Sequence, residues 1–134
     1  MVKVSQILES ILAQLAFDLE RSGQNYRTKD FLALAILSRS ATKAVRSLND
    51  IYTKAQLSDI RGHIERGLAV EQSKGSGAAA FLSHYRRYLC HKHRGDGFIS
   101  TIDVITDILE DKTTLLYQAL SGSLLAEKEY YEGM

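Results

Sequence analysis

The chain has 134 residues, a formal net charge of +1 and 45% apolar residues, a size and composition that suit one globular domain and exclude a disordered polyelectrolyte. It contains no proline, which permits long helices throughout. Its single cysteine, Cys90, excludes an internal disulfide framework and fits a reducing cytoplasm.

The opening stretch carries Glu9, Asp18 and Glu20 and no small-residue cleavage site, so it reads as a first helix and not as a secretory signal. No apolar run approaches the roughly 20 residues of a membrane span. Val4, Ile7, Leu8, Ile11, Leu12, Leu15 and Leu19 recur at three- and four-residue spacing, which predicts an amphipathic helix closed by Ser22-Gly23. Thr28 is expected to cap a second helix with Asp30 in its first turn. That helix should run to Asn49-Asp50 on a stripe of Leu34, Leu37, Ala41, Ala44 and Leu48, with Phe31 and Val45 alongside. Arg39, Lys43 and Arg46 then share a different ridge of it.

Thr53 with Gln56 matches a capping box for a third helix, buried along Leu57, Ile60, Ile64 and Leu68. Gly62 and Gly67 mark either a close helix crossing or a fraying helix. Ser73 to Gly77 reads as an inter-helix loop. A fourth helix follows from Ala78 to His93, buried along Phe81, Leu82, Tyr85 and Leu89 and ended by Gly95-Asp96-Gly97. Ser100 or Thr101 should cap a fifth, with Ile102, Ile105 and Leu109 inward. Thr113 or Thr114 restarts the chain as a last helix through Leu116, Leu120 and Leu124 to Tyr130-Tyr131. No segment shows sustained strand alternation. The expected fold is a single all-α domain over residues 1–134, five or six helices in an irregular antiparallel bundle.

Charge is unevenly spread. Lys74, Arg86, Arg87, Lys92 and Arg94 occur in a stretch without acids, whereas the chain from Asp103 onward is acidic. Basic residues interleaved with His84, Tyr85, Tyr88, His91 and His93 suit RNA or single-stranded DNA, since cations meet phosphates and rings stack on bases. The same pattern also describes a solvated amphipathic helix. The candidate nucleic-acid-binding residues are therefore Arg86, Arg87, Lys92 and Arg94, with Arg39, Lys43 and Arg46 as a second patch.

Other chemistry finds less support. Cys90 and His93 share a helix face, with His63, His84 and His91 as further ligands in principle, but no zinc-site spacing is present and no metal is expected. Asp96-Gly97 imitates half of a calcium loop, yet the first ligand positions would be Lys92 and Arg94. No nucleophile elbow or phosphate-cradling glycine loop occurs, so no catalytic residue and no cofactor is expected. Asp107 with Glu110 or Asp111 reads as solvated charge on one helix face.

Three stretches resemble the small helical subunit of type III CRISPR effector complexes. They are Leu15 to Glu20 with Asn25-Tyr26-Arg27 and Leu32 to Leu37; Phe81 to Tyr85; and Ile102 to Ile105 with Tyr117 to Leu120, Leu124-Leu125 and Tyr130 to Gly133. The chain departs from that family's pattern at Ala33 and Ser40-Ala41, where a proline and a Gly-Leu are usual, and in lacking its late tryptophan. The resemblance implies a non-enzymatic cytoplasmic subunit that contacts guide and target RNA, associates with other protein subunits and stacks with copies of itself. The alternative is a protein-interaction module, such as a phage or plasmid accessory factor that binds a host protein. A third reading is a small helical enzyme or metal protein built on His84, Cys90 and His93.

Overall fold

A computed structural model describes residues 2–70, 75–93 and 97–121. Among these residues the structure is mainly helical, with α1 (Gln6–Ser22), α2 (Thr28–Leu37), α3 (Lys43–Leu48), α4 (Lys54–Val70), α5 (Ala78–Lys92) and α6 (Thr101–Leu109). Residues 115–121 are also helical and form α7. The expected all-α class holds. The expected five or six helices become seven among the described residues, because the long second helix is two.

The break at residues 38–42 has a local cause. The Ser38 hydroxyl donates back to the Leu34 carbonyl at 2.7 Å, and the Thr42 hydroxyl donates to the Arg39 carbonyl at 2.9 Å. Hydroxyls that engage the backbone compete with continued helix. Thr42, fully buried, then caps α3 by accepting from the Val45 amide at 3.3 Å.

A second departure is a two-stranded parallel ladder, where no strand was expected. β1 (Val2–Val4) pairs with β2 (Gly97–Ile99) in the register Val2↔Gly97, Lys3↔Phe98 and Val4↔Ile99. Three residues are too few for visible alternation. The ladder ties the start of α1 to the chain entering α6, and Ile99 is buried beneath it.

Helix α2 sits at the centre, touching α1, α3, α4, α5 and α6. A helix surrounded by others is apolar on more than one face. Its buried apolar residues are Leu32, Ala33, Ile36 and Leu37, so the expected stripe is displaced, with Leu34 only half-buried and Ala41 exposed. Leu8, Ile11, Ile64, Leu89, Ile108 and Leu116 complete the innermost core. Each such side chain contributes about 1.5–3 kcal/mol on burial.

The expected stops and caps largely recur. Gly23 closes α1 at φ 69°, and Thr53 with Gln56 forms a reciprocal capping box on α4, at 2.8 and 3.1 Å. Ser100 with Asp103 forms another on α6. Thr28, however, lies inside α2. The preceding residue, Arg27, is the only described non-glycine residue with a positive φ, 43°. Its guanidinium donates to the Thr113 carbonyl at 3.2 Å and lies 3.5 Å from Asp30, contacts that help offset the cost of that conformation.

Gly67 marks the close crossing that the sequence left open. A Cβ there would lie 2.6 Å from the buried Leu115 side chain. Gly67→Ala should therefore destabilise the fold by about 1–3 kcal/mol, the usual cost of overpacking. Urea denaturation measures it, and the penalty should shrink in a Leu115→Ala background. An equal penalty in both backgrounds would place its origin elsewhere.

Candidate nucleic-acid interface

The basic residues of α5 diverge around the helix. Arg86 turns toward α1 and donates to Glu9 at 2.5 Å, with both side chains about half exposed. Lys92 turns toward α6 and donates to Asp107 at 2.7 Å and to Glu110 at 2.6 Å. Arg87 is exposed and makes no ion pair among the described residues. Arg94 lies outside the described residues, as does the acidic stretch beyond Ser121.

These pairs differ in kind. Arg86 with Glu9 is a surface pair, worth about 0–1 kcal/mol, so a phosphate can displace the carboxylate at small cost. Lys92 is committed. Its partner Asp107 is only 4% exposed and also accepts from the phenols of Tyr85, at 2.6 Å, and Tyr88, at 3.0 Å. Drawing Lys92 away would leave a buried carboxylate without its counter-charge. Asp107 is thus a structural anion and not the solvated charge expected from the sequence. Burial disfavours its ionised form, but the hydrogen bonds from Lys92, Tyr85 and Tyr88 outweigh that and hold its carboxyl below the usual range. The same contacts raise Lys92 above the ordinary lysine range, through Asp107 first and Glu110 second. Tyr85 is raised by burial and by its bond to Asp107.

The rings beside this network are largely used internally. Phe81 and Tyr85 stack at 6.1 Å between centroids, and Tyr85 and Tyr88 at 5.9 Å. Tyr85 is buried. Phe81, expected inside, is 39% exposed, and Tyr88 is 48% exposed. His84 and His91 face solvent, and Cys90 and His93 are half-buried. No group of three or more His, Cys, Asp or Glu placed to hold a metal ion exists among the described residues.

The second patch is differently placed. Arg39 lies in the turn after α2, so it does not share a helical ridge with Lys43 and Arg46 as expected. All three are nevertheless exposed and make no ion pair among the described residues. Helix α4 carries two further cations, Lys54 and Arg61, which sequence reasoning did not single out. They line a cleft of about 260 Å³ with Leu37, Ser40, Asn49 and Leu57. The missed signal was their spacing of seven on α4, two turns along one face. By contrast, the cleft beside the start of α2 contains Asp30 and Asp111, already paired with Arg27 and Lys29 at 3.5 Å each.

No known protein family, curated protein or solved structure matches the chain. No helix among the described residues is long and apolar enough to cross a membrane.

The Asp107 network sets a pH dependence. A depressed carboxyl stabilises the fold above its unfolded value near 3.8, and this contribution is lost as pH falls through the lower folded value. The raised ammonium stabilises fully below its unfolded value near 10.5 and loses its contribution as pH rises through the higher folded one. Asp107→Asn should therefore lower the urea midpoint at pH 7 and flatten its fall in acid. Lys92→Ala should also lower the midpoint, while Arg87→Ala should leave it unchanged. A Lys92→Ala variant as stable as the parent chain would remove the structural role given to that ammonium.

Proposed function

We propose that the chain is a non-enzymatic structural subunit of a ribonucleoprotein effector complex in antiviral defence, binding the backbone of guide or target RNA through basic side chains. The observation that carries this reading is that Arg39, Lys43 and Arg46, close in sequence around the start of α3, are exposed cations without ionic partners among the described residues. Exposed cations without ionic partners attract a polyanion at no cost in broken ion pairs, and phosphate contacts of this kind carry no sequence information. Arg87 adds a solvent-facing cation on α5, and Arg86 an exchangeable one. The resemblance of Leu15 to Leu37 and Phe81 to Tyr85 to type III CRISPR small subunits supports the same assignment. It also supports a place among other protein subunits in the cytoplasm, with copies packed side by side.

The second reading, a protein-interaction module, is favoured by one observation. Phe17 on α1 and Phe98 on β2 are 61% and 68% exposed, two separate apolar points that a partner surface could cover.

The triple variant Arg39→Glu, Lys43→Glu and Arg46→Glu separates them. Anisotropy with single-stranded RNA should show tight binding at low salt by the parent chain, a log–log salt slope of about −2 attributable to three cations, and loss of most binding in the triple variant. Parent-like affinity in the variant would exclude these three cations. Absence of RNA binding by the parent chain at low salt would favour the protein-interaction reading.

A further inference from the structure

We infer that the cleft between α2, α3 and α4 seats one nucleotide of the bound strand, with the base on its aliphatic floor and the adjoining phosphates on its cationic rim. This inference rests on the RNA-binding reading and adds a specific seat to it.

Chemistry selects this cleft over the others. Leu37, Val45 and Leu57 supply an apolar floor. Lys54 and Arg61 stand on one face of α4, and neither makes an ion pair among the described residues. No acid lines the cleft. The acids nearest in sequence, Asp50, Asp59 and Glu65, pair with neither cation. Asn49 offers an amide with donor and acceptor together, the equipment that meets a base edge. The cleft near Phe31 and Leu34 is also apolar, but Asp18 lines it and no cation does.

Size and surroundings agree. At about 260 Å³ the cleft falls just below the range typical of cofactor-sized sites, which suits one base. Arg39 precedes Ser40 and Arg46 follows Val45, and both Ser40 and Val45 line the cleft, so two of the exposed cations adjoin its wall in sequence. Ile51, two residues after Asn49, is 71% exposed. An acidic peptide would satisfy the cations but would leave the floor and Asn49 unexplained.

Two measurements on the full chain test the seat. A single-stranded RNA of about 12 nucleotides carrying 4-thiouridine should crosslink within residues 37–61. The double variant Asn49→Ala with Arg61→Ala should bind that RNA about tenfold more weakly, with an unchanged thermal transition. Lys54→Glu, at an exposed position, should weaken binding similarly and covers the case in which the double variant fails to fold. Crosslinks confined to α5, with variant affinities within about twofold of the parent, would overturn the seat while RNA binding itself stood. Competition by poly-glutamate as effective as by unlabelled RNA would assign the cleft to acidic peptides and overturn it as well. No RNA binding by the parent chain would remove both this inference and the reading beneath it.

Discussion

The fold depends on helix ends being closed by side chains from elsewhere in the chain. The first amides of any helix lack intrahelical partners. In this protein three such ends are closed by distant oxygens. Thr101, at the start of α6, accepts from the Ala44 amide of α3 at 3.1 Å. Glu20, near the end of α1, accepts from the amides of Gly77 and Ala79 at the start of α5, at 3.1 and 3.0 Å. Asp30, buried in α2, accepts from the Leu116 amide of α7 at 3.2 Å. Each cap fixes a tertiary contact as it satisfies a backbone group. The backbone bonds to Glu20 also hold its carboxyl below the usual range, the response of an anion placed among amide donors. Short helices such as α3, with six residues, are marginal alone and need this external support.

The same caps constrain where a polyanion can bind. A free helix N-terminus attracts phosphate through its amides and its dipole. Here Ser5, Thr53 and Ser100 close α1, α4 and α6 locally, the distant oxygens close α3, α5 and α7, and α2, which no side chain caps, carries the buried Asp30 in its first turn. In the proposed role, phosphate contact would then fall mainly to side chains, and the cations divide into two groups. Lys92 neutralises a buried carboxylate and belongs to the fold. Arg39, Lys43, Arg46, Lys54 and Arg61 neutralise nothing among the described residues and belong to the surface. Counting basic residues along a segment cannot make that division, because it depends on which acid folding brings alongside.

That dependence also explains what was legible in the sequence. Local signals read correctly: the Thr53–Gln56 and Ser100–Asp103 boxes, the Gly23 stop, the stripe of α4, and that of α1 from Leu8 onward, although Val4 falls in β1 and Ile7 is exposed. Their causes lie within one or two turns. The misreadings have causes farther away. The Ser38 to Thr42 stretch could have warned of a helix break from its hydroxyl density, but the break is completed by Thr42 and Thr101 closing a new end. The stripe of α2 misled because a central helix has no single inner face. The β1–β2 ladder joins residues at opposite parts of the chain through three-residue strands. Asp107 looked solvated because Tyr85, Tyr88 and Lys92, which bury and satisfy it, lie 15 to 22 positions away on another helix.

Charge arithmetic gives the proposed role its shape. A net charge of +1 supplies little long-range attraction, and at physiological salt the Debye length is about 8 Å. Attraction must therefore come from cations close to the strand. Three to five phosphate contacts on one subunit yield only modest, salt-labile affinity. In the proposed role, copies aligned along one strand would change the balance, because each bound copy would hold the next site at high effective concentration. A subunit with exposed cations but a net charge near zero can pack against identical neighbours without the repulsion that a uniformly basic protein would meet. Near-neutrality, which counts against a lone RNA-binding protein, is the condition under which many weak contacts can be assembled side by side.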